Sequence, residues 1–174
     1  IDFFEEKEIR MKEEKNELLK IIPLLGSKKN SILTAETAQV YDGMRGIQTA
    51  RERSLKIMKK GDEMWIVGIA KTPYDRLLGY FKDFHKRRIK KGVRCHYIYN
   101  DYARELGAMS KKYHLSEVRY MPRGIVTHAW IEVYADTVTI GMNYGKSFSI
   151  VIVNREVAES FKNYAKLLWG ISRA

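Results

Sequence analysis

The sequence predicts an α/β fold with a mixed β-sheet and flanking helices, and three of its features point there. Met64–Ala70 is a continuous apolar run, followed by a helical stretch and then a second apolar strand, Val93–Tyr99. That length fits a right-handed crossover between two parallel strands. Three closely spaced strand patterns, Val126–Tyr134, Thr137–Met142 and Ser147–Val153, come later, the first two joined by the hairpin signal Ala135-Asp136. A helix over Arg155–Ile171 then closes the chain.

The elements follow in order. Residues 2–24 read as one helix in which Phe4, Met11, Leu18 and Leu25 recur at heptad spacing, with Glu8 and Lys15 interrupting the second position. Such a stripe serves either as a dimerising or linking coiled coil over residues 1–25 or as an amphipathic helix packed on its own domain. Gly26 to Asn30 is a polar break, and a main domain is expected over 31–174. Ala38–Tyr41 is a short strand, and Met44–Lys59 a helix with Ile47, Ala50, Leu55 and Met58 near one face. Met64–Ala70 should be buried on both faces. Thr72-Pro73 reads as a cap with proline in the first turn, opening a helix Tyr74–Lys91 that Gly92 ends. Asn100–Tyr113 is the next helix, opened by Asn100 or Asp101, and Glu117–Met121 the next strand. Asn154 caps the last helix, whose core stripe is Val157, Phe161, Ala165 and Leu168.

Composition narrows the class. Of 174 residues, 45% are hydrophobic and 30% charged, which suits one globular, soluble domain with an appended helix. No apolar run approaches the ~20 residues of a membrane span. Because the first 20 positions are dense in Glu and Lys, no signal peptide is expected. Ile1 in place of Met leads us to expect a longer parent chain. Cys95 stands alone in a strand pattern, as a core residue in a reducing cytoplasm would. The net charge of +11 first suggests nucleic acid, although basic side chains also solvate helix faces. The basic helix Lys82–Lys91 is the best place for direct nucleic-acid contact.

Four His and one Cys show no paired spacing, so no metal is expected, and no cofactor motif is present. Gly43-Met44-Arg45-Gly46 lacks the ending of a phosphate-binding loop. The informative segment is Thr127 to Asp136. Strand alternation puts His128, Trp130, Glu132 and Tyr134 on one face and Ala129, Ile131 and Val133 on the other. Buried polar groups are costly without partners, so the first face either meets water or lines a pocket. An indole beside a carboxylate suits a polyol, with the ring on its C–H face. The rival reading makes Trp130 apolar filling.

The order strand, helix, strand, His128, hairpin, Gly141-Met142-Asn143, apolar strand and final helix resembles a phospholipase D-like domain. That family's signature is His-x-Lys, four residues, Asp, then a Gly-Ser-x-Asn-like turn. His128 matches its His, but Trp130 stands at the Lys position and Ala135 at the Asp position, with Asp136 one residue late. In the family, the His attacks phosphorus, the Lys neutralises phosphate oxygens and the Asp orients the His. An indole and a methyl group do neither of the last two jobs, so no enzyme activity is expected.

A nearer likeness is to the TrmB-type archaeal sugar-responsive transcription regulators. It rests on Val40-Tyr41-Asp42-Gly43-Met44-Arg45-Gly46-Ile47, on Phe84 through Val93, and on Val157-Ala158-Glu159-Ser160-Phe161 with Leu168-Trp169. The resemblance implies a linker helix followed by an effector-sensing domain whose catalytic set has degenerated. It also implies a homodimer, DNA binding through a winged helix absent from this chain, and a small effector such as a sugar or other polyol. His128, Trp130, Glu132 and Asn143 are the residues expected to meet that effector, and no membrane is involved. The alternative is a divergent phospholipase D-like phosphodiesterase or nuclease assembled as a dimer.

Overall fold

A computed structural model describes residues 37–70, 77–142 and 147–174, together with Lys7, Arg10, Met11 and Lys15. The chain divides into two units, Ile1–Glu36 and Thr37–Ala174. In the first, the four described residues are helical. The heptad stripe otherwise lies outside the described residues, as do Thr72-Pro73 and Asn143.

The second unit is built on one seven-stranded sheet in the order β1-β7-β6-β5-β2-β3-β4. Its strands are β1 (Thr37–Asp42), β2 (Glu63–Ile69), β3 (Arg94–Tyr99), β4 (Ser116–Tyr120), β5 (Ala129–Tyr134), β6 (Thr137–Met142) and β7 (Phe148–Val153). Strands β2, β3 and β4 are parallel, whereas β5, β6, β7 and β1 pair antiparallel. The sheet is therefore mixed, as the sequence predicts. The helices are α1 (Gly43–Ile57), α2 (Leu78–Lys90), α3 (Arg104–Lys111) and α4 (Arg155–Ile171). None of the described helices is long and apolar enough to cross a membrane.

Strand β2 is buried along all but its first residue, because it is central and covered on both faces. One face packs Met64, Ile66, Cys95, Tyr97 and Tyr134 against Leu55 of α1 and Phe84 of α2. The other packs Trp65, Val67, Ile98, Val133 and Val138 against Ala158 and Ala165 of α4. Cys95 is fully buried, and desolvation pushes its thiol up to about 12. The α4 stripe is the expected one: Val157, Phe161 and Leu168 pack on the core beside Ala165, and Asn154 accepts a hydrogen bond from the Val157 N–H at 2.8 Å.

Two segments depart from expectation. Asn100 does not cap a helix with its side chain; a single 3-10 turn, Asp101–Ala103, precedes α3. Strand β5 begins at Ala129, not Val126. The cause is the same in both places. The Asn100 amide donates to Thr127 O at 2.8 Å and accepts from Thr127 N at 3.0 Å. The Thr127 hydroxyl donates to Gly68 O at 3.2 Å, where β2 bulges. Gly68 has φ +81°, and a Cβ there would meet Thr127 Oγ1 at 2.6 Å. Thr127 thus spends its backbone on a side chain rather than on a strand ladder.

The motif around Gly43 also has a local reason. Gly43 (φ +66°) turns β1 into α1, and its N–H donates to Ser147 O at 2.7 Å. A Cβ on Gly46 would lie 2.7 Å from the Tyr41 carbonyl carbon, so only glycine lets α1 start this close to β1.

Candidate functional site

Strand β5 carries the segment singled out above. His128 precedes its first residue and is exposed, beyond the Thr127 anchor. Trp130 and Glu132 point to the face of α1 and α2, and are 6% and 1% exposed. Trp130 pairs across the sheet with Gly141 on β6. Its indole lies over that glycine, in the space a Cβ would occupy. Gly141 therefore reads as a seat for the indole.

Above the indole sits a residue that sequence reasoning missed. Arg51 of α1 is 3% exposed, and its guanidinium carbon lies 5.0 Å from the Trp130 ring, 4.8 Å from Phe81 and 5.4 Å from Phe84. Arg51 Nη2 is 3.0 Å from Glu132 Oε2. Neither oxygen of Glu132 accepts an aligned hydrogen bond among the described residues. Burial accordingly raises the Glu132 pKa, and Arg51 only partly opposes this. An aromatic box thus holds a buried ion pair. The signal for it was available: Arg51 falls four residues after Ile47 and four before Leu55, on the apolar side of α1.

The structure brings Trp130 and Glu132 together and leaves His128 outside the box. A polyol reaching Trp130 and Glu132 would have to open that box, and the burial matches the filling role for Trp130. Ala135 and Asp136 lie at the far end of β5, about 20 Å along the strand from His128. Asp136 therefore cannot orient His128, whichever way it points.

The basic helix is also largely committed. Arg87 forms a two-pronged pair with Glu52 at 2.7 and 2.6 Å and reaches Asp83 at 2.7 Å. Arg88 is fully buried and donates to Val93 O, Leu115 O and Ser116 Oγ. Lys91 Nζ donates to Leu55 O at 2.8 Å and to Lys56 O and Met58 O at 3.3 Å. Lys82, Lys86 and Lys90 alone remain as exposed cations of that stretch. Direct nucleic-acid contact through the helix loses half of its six Lys and Arg charges.

A cavity of about 50 Å³ adjoins the aromatic box, sharing Arg51 and Phe81 with it, and opens between α2, α3 and the C-terminal halves of β2 and β3. Arg51, Lys82, His85, Tyr97, Tyr99, Ser110 and Tyr113 supply its polar lining.

The architecture is a mixed-sheet α/β fold, and what it shares with known proteins is the fold alone. No family model matches the chain, and no curated protein matches it by sequence. Solved structures do match its fold. TrmBL2, described as an archaeal chromatin protein showing a novel mode of DNA binding, superposes with a TM-score of 0.57 at 15% identity, over 98% of this chain and 67% of its own. Nuc from Salmonella typhimurium, a phospholipase D family member, gives 0.62 at 15% identity over 80% of this chain and 97% of its own. NucT from Helicobacter pylori gives 0.59 at 11% identity over 80% and 99%.

Proposed function

We propose that this chain is the non-catalytic sensing and dimerisation part of a transcription regulator, built on a phospholipase D-like domain. The observation that carries the reading is the fate of position 130. Where the resembling enzymes need a phosphate-binding Lys, a buried indole rests on Gly141 beneath Arg51, itself engaged by Glu132. The fold shared with a DNA-binding archaeal chromatin protein over nearly the whole chain supports the regulatory setting. DNA would be read by a winged helix outside this chain, in the cytoplasm, under control of a small effector. Purified protein should fail to cleave bis(p-nitrophenyl) phosphate in the absence of metal. Turnover that disappears in His128→Ala would overturn the reading in favour of a phosphodiesterase or nuclease, for which the exposed His128 is the remaining argument.

The homodimer belongs to the same reading and rests on Phe4, Met11, Leu18 and Leu25. Removing residues 1–25 should convert a dimer to a monomer in sedimentation velocity. An unchanged mass would assign dimerisation elsewhere or abolish it.

A further inference from the structure

The two sides of the sheet differ in charge. Residues 43–62 and 78–92, which hold α1, α2 and the turns after them, carry twelve Lys and Arg against three Asp and Glu. Residues 155–174, which hold α4 on the other side, carry four against two. Most of the net charge of +11 thus sits in one layer. The three carboxylates of that layer are already engaged: Arg87 holds Glu52 and Asp83, and Asp62 accepts from the Lys59 N–H and the Tyr134 hydroxyl. What stays exposed is cationic and falls in rows. Arg45, Arg53 and Lys56 share the crest of α1 opposite Ile47, and Lys82, Lys86 and Lys90 follow at four-residue spacing on α2. At the helical rise these rows run about 16 Å and about 12 Å. None of the six forms an ion pair among the described residues; Arg53 donates to the neutral Gln39 amide at 2.9 Å. Lys59 and Lys60, exposed in the turn after α1, extend the first row. A groove of about 520 Å³ lies along it, lined by Tyr41, Arg45, Gln48, Thr49, Arg53 and Lys56 together with the engaged Glu52. Crowded like charges repel and weaken the fold, and a polyanion relieves them.

We propose that the outer face of α1 and α2 binds the phosphate backbone of double-stranded DNA without reading its sequence. Duplex DNA offers one charge per about 1.7 Å of axis, so both rows find partners along a rigid polyanion, and each contact releases a condensed counterion. Contacts of this kind position a protein and carry no sequence information. A single strand would call for exposed aromatic rings on which its bases stack. On this face Phe81 and Phe84 are buried, and the half-buried Tyr80 spends its hydroxyl on Gln48 O and Glu52. An anionic membrane takes apolar side chains beside the cations. Among the described residues of α1 and α2, Ile57 is the one exposed large apolar side chain. The inference goes beyond the regulatory reading, in which a winged helix outside this chain reads the DNA: here the sensing domain adds a sequence-indifferent grip of its own.

The chain is titrated into a labelled duplex of about 20 base pairs, and fluorescence anisotropy is followed from about 50 to about 200 mM salt. Binding should fall steeply with salt, with a slope of about −4 to −5 in log K against log salt, as five or so phosphate contacts give. Scrambling the duplex sequence should leave it unchanged. Arg53→Glu with Lys56→Glu, and separately Lys86→Glu with Lys90→Glu, should each weaken binding about tenfold or more at the lower salt and flatten the slope by about 2. Lys166→Glu with Arg173→Glu, exposed residues on and just after α4, makes the same change in net charge away from the face. It should weaken binding less than about threefold. No duplex binding at the lower salt, a strong preference among sequences, equal losses from the remote pair and the two row pairs, or tighter binding to single-stranded DNA or to phosphatidylserine vesicles than to duplex would each overturn the proposal. Such a failure leaves the regulatory reading standing, since that reading places DNA recognition outside this chain and is decided by the phosphodiesterase assay.

Discussion

On the α4 side of β5, Ile131 and Val133 meet Val138, Ala158 and Ala165, with Trp65 and Trp169 edge-on at 5.6 Å. Two residues along the same strand but on the opposite side, Trp130 and Glu132 meet Arg51, Phe81 and Phe84. One face is apolar apart from the His96 imidazole stacked on Trp65. The other buries two guanidinium groups, a carboxylate and an imidazole. The contrast teaches where specificity and vulnerability lie. Apolar packing loses stability in proportion to the atoms removed, whereas a buried charge that loses its partner leaves the full desolvation cost behind.

Substitutions break this comparison most sharply at the ion pair. Glu132→Ala and Arg51→Ala should each cost ~3–5 kcal/mol in chemical denaturation. Trp130→Ala should cost about as much, by cavity formation above Gly141. Val133→Ala, on the apolar face, should cost only about 1–2 kcal/mol, since fewer atoms are lost. The double replacement Arg51→Met with Glu132→Leu should cost less than either single truncation, because it removes both charges together. If Val133→Ala proves the costliest, the charged face is not the more vulnerable one.

A smaller effect comes from pH. Burial lowers the pKa of His85, with Arg51 and Arg88 adding to it. Burial also lowers that of His96, stacked on Trp65 at 4.2 Å, despite Glu63 and Glu117 nearby. Below the ordinary histidine value of about 6.5 the unfolded chain takes up protons that the folded chain refuses. Their contribution to stability is complete above that value and is lost as pH falls toward the lowered folded pKa. Glu132 works in the opposite sense: its raised folded pKa favours the native state as pH falls. The two histidines should therefore lose their contribution to thermal stability between about pH 7 and about pH 5. His85→Gln should flatten that loss, and a pH profile unchanged by the substitution would remove His85 from the account.

Much of the fold was legible because it rests on local periodicity. The apolar run of β2, the parallel crossover to β3, the hairpin at Ala135 and the whole of α4 with its Asn154 cap follow from residue spacing alone. Strand alternation also sorted Trp130, Glu132 and Tyr134 from Ile131 and Val133 correctly. What escaped was long-range. Arg51 lies 81 positions before Glu132, and no local pattern announces that a charged residue on an apolar helix face will find its partner on a strand. Asn100 looked like a helix cap because asparagine often is one. Its engagement with Thr127, 27 residues on, depends on the Gly68 bulge that brings the two together. The cavity was invisible for the same reason: its lining comes from α1, β2, α2, β3 and α3.

Lys91 shows how such long-range bonds bear on the order of assembly. The last carbonyls of a helix need partners from outside it. For α1 those partners are the Lys91 ammonium group, 36 residues beyond Leu55, and the Tyr134 hydroxyl, which donates to Ile57 O at 3.2 Å. Helix α1 therefore has no finished end until the turn after α2 and strand β5 are in place. Arg88, one turn earlier, likewise waits for Leu115 and Ser116 at the start of β4. The end of α1 is completed by a side chain from a later element and the start of β4 by one from an earlier element, so the crossover unit should form as a single cooperative step rather than by stacking preformed helices.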